Sequence, residues 1–506
     1  MGRALVLASW GLPTKWREGL YIRPRIPRGR CPRPSEMEYV EDGVRSRTSL
    51  AAIVKTLVEA GHEPDVVIVG LDTLAFPGDY PDVLPDARKA LEELYAKMRR
   101  GEAGYGDVVE AARAFLGAYV RAYLQDYADR TEVVVVPGSG VYKAGNEITA
   151  YFHSDLQNAE TAVLAALYEK AQRQVYDAVA VDMTHGVNYL AATLYKASEV
   201  AALYISAAQR REVCYAVFNS DPVYNDGERS RINIVKLERI SEEPSLFVSK
   251  MAEELEERLY AMAKPERAPQ QMERLNQRYR ALYEKARLPQ TAQALAYGFG
   301  LYMVEKAKAL ADAANEARRL VEEAQEAMRR EVKVEARGAA SPSGDVAIER
   351  SYAVNPSPVY LAMAVDVYTK HFGHVQTDEE GGTDLDTLKN LPLHEPARTI
   401  LLHEISDVEE RVALLREYAP LPEGRYVDYN YIYDLTTLSA IQLKRKKEEP
   451  PPCEAGDKCD VSKRNYIAHA GLERTAICVK TQGGKIYVRY KDKCREVVEG
   501  MLAGGG

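Results

Sequence analysis

The chain contains no run of about 18 apolar residues, so no segment reads as a transmembrane helix. Its first residues, MGRALVLASWGLP, have too short an apolar stretch and no cleavage pattern for a secretory signal, and read better as a buried strand. The expected compartment is the cytoplasm. Positive charge is not in excess: 67 Lys and Arg stand against 75 Asp and Glu, a net charge of −8. That balance excludes a protein that coats polyanions with its whole surface, and confines any nucleic-acid contact to a cleft or stripe. Phenylalanine is scarce, with 7 residues against 33 Tyr, and this usage together with abundant charge has a thermophilic look. No G-x-G-x-x-G follows the first strand, and Gly138-Ser139-Gly140 lacks a third glycine, which disfavours a Rossmann oxidoreductase. Neither an internal repeat nor a clear helix-turn-helix is evident, and with the acidic balance this weighs against a DNA-binding regulator. Cysteine is limited to six residues. Cys31 and Cys214 look isolated, and the C-x5-C spacing of Cys453 and Cys459 is wider than zinc sites use. With Cys478 and Cys494 further on, disulfides and free thiols both stay open.

What is present divides the 506 residues into two or three domains. Apolar runs at 4–9, 65–72, 132–136 and 177–182 read as buried strands, with helices expected at 49–60, within 86–128, at 154–172 and from 188 to about 208. Strands at 212–218 and 232–239 close this region. The alternation predicts a doubly wound, Rossmann-like α/β domain over residues 1–242. The stretch from Lys15 to Pro34 carries Arg17, Arg23, Arg25, Arg28, Arg30 and Arg33 against a single acid, Glu18, and is rich in proline. It is excluded as a helix or central strand, and reads as a basic loop, either beside an anionic ligand or solvated. Residues 243–288 read as a helical linker and 289–506 as a helical domain. Within it a long helix is expected at 290–335, an exposed loop at 336–357, an acidic loop at 373–386 and a helix at 428–447.

Near the end stands Arg464-Asn465-Tyr466-Ile467-Ala468-His469. Asp460 and Ser462 are candidate N-caps, and apolar residues as far as Ile477 suggest that a helix continues. Arg464 supplies a planar, permanently charged fork suited to phosphate, and His469 a side chain that titrates near neutrality. Five residues apart, the two are about 140° apart around an ideal helix and converge only if Arg464 reaches back over the helix end. Cleavage of RNA needs both a base and an acid. If the motif is catalytic, two chains on a twofold axis are therefore required. The same string also suits a solvated helix start with a half-buried His.

The string RNYIAHAG resembles the catalytic motif of HEPN-domain ribonucleases. The D-x-T-H-G-x-N turn after the fourth strand, with Trp-Gly-x-Pro after the first, resembles the CARF sensor domain. Together they resemble the CARF–HEPN ribonucleases of type III CRISPR systems. That resemblance implies catalysis by Arg464, Asn465 and His469, with no metal and no cofactor. It further implies a homodimer or higher oligomer that cuts single-stranded RNA in antiviral defence, with a cyclic oligoadenylate, most often the tetramer, as allosteric activator. The activator is expected at the carboxyl edge of the sheet, on Trp10, Gly11, Pro13, Ser49, Gly138, Ser139, Gly140, Thr184, His185, Gly186 and Asn188. There Gly186 admits a phosphate to backbone N–H groups, and Trp10 offers a ring to an adenine. His185 either joins the ligand or fixes the turn from inside. The rival is a sensor whose helical half is a non-catalytic dimerisation scaffold. The Arg/Pro-rich insertion and the 336–357 loop depart from the family pattern.

Overall fold

The computed structural model describes residues 2–28, 31–78, 83–145, 148–262, 270–330, 332–336, 345–350, 352–418, 421–438, 450–454, 459 and 461–503. They form two compact units with alternating segments. Met1–Glu242, Glu256–Arg280 and Arg319–Val359 make the first, and Glu243–Leu255, Ala281–Arg318 and Tyr360–Gly506 the second.

The first unit opens with β1 (Gly2–Ser9), β2 (Gly19–Arg25), β3 (Glu38–Ser46), α1 (Ser49–Glu59) and β4 (His62–Leu71). Then come α2 (Pro85–Arg99), α3 (Tyr105–Leu124), β5 (Thr131–Val136), β6 (Gly140–Ala144), β7 (Ile148–His153) and α4 (Leu156–Arg173). β8 (Ala178–Asp182), α5 (Asn188–Gln209), β9 (Val213–Ser220) and β10 (Arg229–Ile240) follow. Eight strands form one sheet in the order β3-β2-β10-β9-β8-β1-β4-β5. Its centre is parallel: Ala4 of β1 lies between Pro64 of β4 and Ala178 of β8. β1 and β8 are apolar and buried through nearly their whole length, as strands covered on both faces must be. Val6, Trp10, Ile68, Phe115 and Phe152 belong to one core. Helix α1 starts where the Thr48 side chain accepts from the Leu50 N–H, and Gly61 at φ +91° follows its end.

The basic Lys15–Pro34 stretch is not only a loop. Its residues Gly19–Arg25 form β2, second from the sheet edge. Pro24 is tolerated there because parallel pairing with β10 covers only Leu20, Tyr21 and Ile22, leaving Pro24 no ladder bond to donate on that side. Arg23 is buried and held by both oxygens of Glu59, at 2.7 and 2.8 Å. Cys31 is not isolated either, being bonded to Cys214.

The middle of the chain holds α6 (Pro244–Glu253), β11 (Tyr260–Met262), α7 (Gln270–Ala286), α8 (Leu288–Tyr297) and α9 (Gly300–Arg330). The expected single helix over 290–335 is therefore two, because Gly298 adopts φ +75° between them. The end of that expected helix is a strand, β12 (Val332–Ala336), and the expected loop at 336–357 carries β13 (Val346–Arg350) and β14 (Tyr352–Val354). β13 lies between β12 and β7 in the sheet β12-β13-β7-β6. Apolar Val346, Ala347 and Ile348 drive this burial.

The second unit continues through α10 (Ser357–Phe372), β15 (Thr383–Asp384), α11 (Leu385–Lys389), α12 (Glu395–Tyr418), β16 (Val427–Asp428) and α13 (Tyr429–Thr436). It ends with α14 (Lys463–Ala468), β17 (Ile477–Gln482), β18 (Lys485–Tyr490) and α15 (Asp492–Ala503). The helix expected over 428–447 thus runs from Tyr429 to Thr436, and its basic Lys444–Lys447 tail lies outside the described residues. Helices dominate this unit, but β15-β18-β17-β16 form an antiparallel sheet, of which the sequence announces β18, since KIYVRY at Lys485–Tyr490 reads as a short strand or hairpin arm. Disulfide Cys453–Cys478 ties β17 of that sheet to the preceding segment, and Cys459–Cys494 ties α15 to it, so the thiols that zinc would need are spent. No helix among the described residues is long and apolar enough to cross a membrane.

Candidate functional site

At the carboxyl edge of the first sheet, adjacent strands β1 and β8 bring two of the polar turns together. The Gly11 N–H donates to the His185 carbonyl at 2.8 Å. His185 Nε2 accepts from the Ser49 N–H at 3.3 Å, and its ring stacks on Trp16 with centroids 4.1 Å apart. Asp182, at the end of β8, organises the rest. It accepts from Ser49 Oγ at 2.7 Å, and from Thr184 through both N–H and Oγ1 at 3.0 and 2.6 Å. Thr184 Oγ1 in turn accepts from the Ser220 N–H. Burial holds the His185 imidazole below its ordinary range, against the attraction of Asp182. The turn therefore satisfies most of its own polar groups. Gly186 is required by packing, since a Cβ there would meet Ser9 Oγ at 2.1 Å. Asn188 is exposed, and Gly11 and Gly186 are partly so.

Trp10 does not face solvent. It is fully buried, edge-on to Trp16 at 5.0 Å, so the ring expected to meet an adenine is core, and the half-buried aromatic at this edge is Trp16. Pro13 is likewise buried. The Gly138–Gly140 turn follows β5 and is separated from this cluster by β4. Its anchor is Asp72, just past β4, which accepts from the Gly138 N–H at 2.7 Å, Tyr105 Oη at 2.9 Å and Arg350 at 3.0 Å. Ser139 and Gly140 are exposed beyond that anchor. Asp182, Trp16, Asp72 and Arg350 were not legible as site residues. A lone acid at a strand end is common, and Arg350 stands 278 residues from its partner.

In the second unit, Ser462 caps α14 by accepting from the Asn465 N–H at 3.2 Å, while Asp460 lies outside the described residues. The helix stops after six residues rather than running on towards Ile477. Ala470 and Gly471 take φ +45° and +78°. A Cβ on Gly471 would lie 2.9 Å from Tyr490 Oη and 3.1 Å from Tyr466 Oη, so only glycine fits the turn. Beneath it Tyr466 is anchored, with its hydroxyl 2.5 Å from that of Tyr490 and its ring edge-on to Phe299 at 4.7 Å. This anchor presents Arg464, Asn465 and His469 outwards, all exposed. Arg464 has no ion pair among the described residues.

The group that sequence reasoning missed is Glu404. From α12 its Oε2 lies 2.9 Å from His469 Nδ1, with the carboxylate mostly buried and the imidazole about half exposed. An ionised carboxylate only accepts, so Nδ1 carries the hydrogen and Nε2 is left to exchange a proton. Glu404 sits 65 residues from His469, and nothing in an amphipathic helix marks such a pairing in advance. Among the described residues no group of three or more His, Cys, Asp or Glu is placed to hold a metal ion.

Residues 5–222 match the family model for the CARF domain of the CRISPR system endoribonuclease Csx1, and residues 394–492 match the model for the HEPN domain of the same endoribonuclease. No curated protein gives a significant match to the chain. The two matched regions contain the two sites described above, in the same order, and together span more than half of the chain. The chain accordingly belongs to the Csx1 family of CRISPR system endoribonucleases, with an N-terminal CARF domain and a C-terminal HEPN domain.

Proposed function

We propose that this chain cuts single-stranded RNA without a metal ion, switched on by a cyclic oligoadenylate, in type III CRISPR antiviral defence in the cytoplasm. The observation that carries the reading is the exposed His469 held through Nδ1 by Glu404, five residues past Arg464, which has no ion pair among the described residues. In the proposed reaction the ribose 2′-oxygen bonds to phosphorus and the bond from phosphorus to the 5′-oxygen breaks. His469 Nε2 removes the 2′ proton, or delivers one to the leaving oxygen. One chain has one His469, so a homodimer supplies the second proton-transfer group. Arg464 neutralises charge on the phosphate, and the Asn465 amide orients a phosphate oxygen. The products are a 2′,3′-cyclic phosphate and a 5′-hydroxyl.

The activator is assigned to the sheet edge, with exposed contacts from Ser139, Gly140 and Asn188 and partly exposed ones from Gly11 and Gly186. Trp10, Pro13, Ser49, Gly138, Thr184 and His185 shape the turns, and Trp16 takes over the stacking role first assigned to Trp10. A cyclic tetranucleotide has the twofold symmetry that an isologous dimer can match, each protomer contacting half the ring. Activation follows if the ring binds one dimer arrangement better than the other.

The test is cleavage of a fluorescent single-stranded RNA in excess EDTA, with and without cyclic oligoadenylates of each ring size. Cleavage is expected with the cyclic tetramer, and loss of cleavage in His469→Ala and Arg464→Ala with activator binding intact. A folded, activator-binding His469→Ala protein that cuts at the parental rate removes His469 from the mechanism. Tight activator binding without any RNA cleavage by the parent supports the scaffold reading instead.

A further inference from the structure

One face of α12 carries more than Glu404. Positions 404, 407 and 411 share that face and span about 10 Å along the helix axis. Asp407 accepts from Tyr429 Oη at 3.2 Å and pairs with Arg411 Nε at 2.7 Å. Arg411 Nη1 also donates to Thr436 Oγ1 at 2.8 Å, and its guanidinium lies 3.9 Å from the centre of the Tyr433 ring. Together these contacts hold α13 against α12. Yet a second guanidinium is laid over the same ring: Arg474, 4.6 Å from its centre. Arg474 comes from the turn that follows His469. Among the described residues its ion-pair partner is Asp434 at 3.8 Å, and 45% of its side chain is exposed. Two cations on one tyrosine repel each other, and α13 is already tied to α12 through Arg411, Thr436, Asp407 and Tyr429 without Arg474.

We infer that Tyr433 capped by Arg474 is a stacking subsite for an RNA base close to the phosphodiester that His469 attacks, an inference that rests on the nuclease reading above. The charges around it are paired, Glu404 with His469, Asp407 with Arg411 and Asp434 with Arg474. With its charge partly matched by Asp434, Arg474 offers a ligand the flat face of its guanidinium, which suits a base. A guanidinium plane supported on a tyrosine ring is a suitable platform for it. The backbone phosphates then run on the side of Arg464 and Lys463, where the motif supplies positive charge. Because every base has such a face, the subsite favours unstacked, single-stranded RNA over a duplex, with little sequence preference.

The experiment uses full-length protein in a His469→Ala background, so that bound RNA stays intact. A labelled single-stranded oligoribonucleotide is titrated by fluorescence anisotropy in the presence of the activator. Arg474→Ala is expected to weaken binding about tenfold, in the range for loss of one stacked base. Arg474→Lys is expected to weaken it equally, because the charge is kept and the plane is lost. Tyr433→Phe keeps the ring and should bind as the parent does. On the His469 parent, Arg474→Ala should raise KM by the same factor, with a smaller change in kcat. An RNA with an abasic ribose at that position should bind the parent and Arg474→Ala alike. Unchanged affinity in Arg474→Ala overturns the subsite, and full recovery in Arg474→Lys replaces stacking with a charge contact. If the parent neither binds nor cuts RNA, the nuclease reading fails first; cleavage by the parent with unaltered Arg474→Ala sinks the subsite alone.

Discussion

Replacing Arg350 with methionine tests the most deeply buried ion pair in the first unit. Asp72 is inaccessible and Arg350 is nearly so, and their 3.0 Å contact is supported by Tyr105 Oη and the Gly138 N–H on the carboxylate. The guanidinium also lies 4.4 Å from the centre of the Tyr105 ring. Removing one member of such a pair strands the other charge, which costs about 3–5 kcal/mol. The two remaining donors place Arg350→Met at the lower end. Burial already pushes the Asp72 carboxyl upwards, with Arg350 as the largest opposing influence. Without Arg350 it moves further up. A carboxyl raised in the folded state keeps its stability below its unfolded pKa, about 3.9, and loses it as pH rises towards the folded value. The deficit of Arg350→Met should therefore be largest near pH 8 and shrink on acidification towards pH 5. Asp72→Asn with Arg350→Met should recover much of the loss. Both tryptophans, Trp10 and Trp16, belong to this unit, so tryptophan fluorescence in urea reports its unfolding selectively. A parental urea midpoint in Arg350→Met, or a deficit that does not change with pH, would refute the reasoning.

Three further outcomes are expected. Glu404→Gln should lower single-turnover RNA cleavage about 10- to 100-fold, as part of what a positioned proton-transfer group contributes, while RNA affinity holds; parental cleavage would free His469 from Glu404. Burial raises the Glu305 carboxyl to about 7, so folding keeps its proton and the second unit loses stability as pH rises from about 4.3 through 7. Glu305→Gln should flatten that dependence and unfold at a higher temperature than the parent at pH 8, by up to about 3 kcal/mol, followed by circular dichroism. Reducing Cys453–Cys478 and Cys459–Cys494, with separations of 25 and 35 residues, should each cost about 3–4 kcal/mol and lower the thermal midpoint of that unit, with thiol titration confirming reduction.

The parts of this molecule legible in its sequence are those where one short segment decides the outcome. The apolar runs of β1, β4 and β8 can be satisfied only inside a covered parallel sheet, and Thr48 and Gly61 punctuate α1 as their chemistry dictates. The RNYIAHAG string marked the exposed turn with its Arg and His. Other features depend on what a distant segment brings. Trp10 became core because Trp16 and Tyr123 close over it. α14 stopped early because Gly471 fits beneath two tyrosine hydroxyls, one of them 24 residues from its partner. Pairing of Cys31 with Cys214 spans 183 residues, beyond what cysteine spacing can suggest. Pro24 entered a strand because its neighbour β10 stops pairing at Ile22.

The alternation of segments between the two units has a consequence for how the molecule is made. The chain passes from one unit to the other five times, at 242/243, 255/256, 280/281, 318/319 and 359/360. On a ribosome the first 240 residues emerge with β7 still lacking its parallel neighbour, because Ala150 and Phe152 pair with Val346 and Ile348. Translation must proceed past β14 before the sensor can close, and by then most of the nuclease unit has yet to be synthesised. A gene fragment ending at Glu242 would leave the apolar flank of β7 uncovered and prone to aggregate. The first unit is therefore complete in the nascent chain before the second unit is, and the chain is made in the order in which its first unit can close.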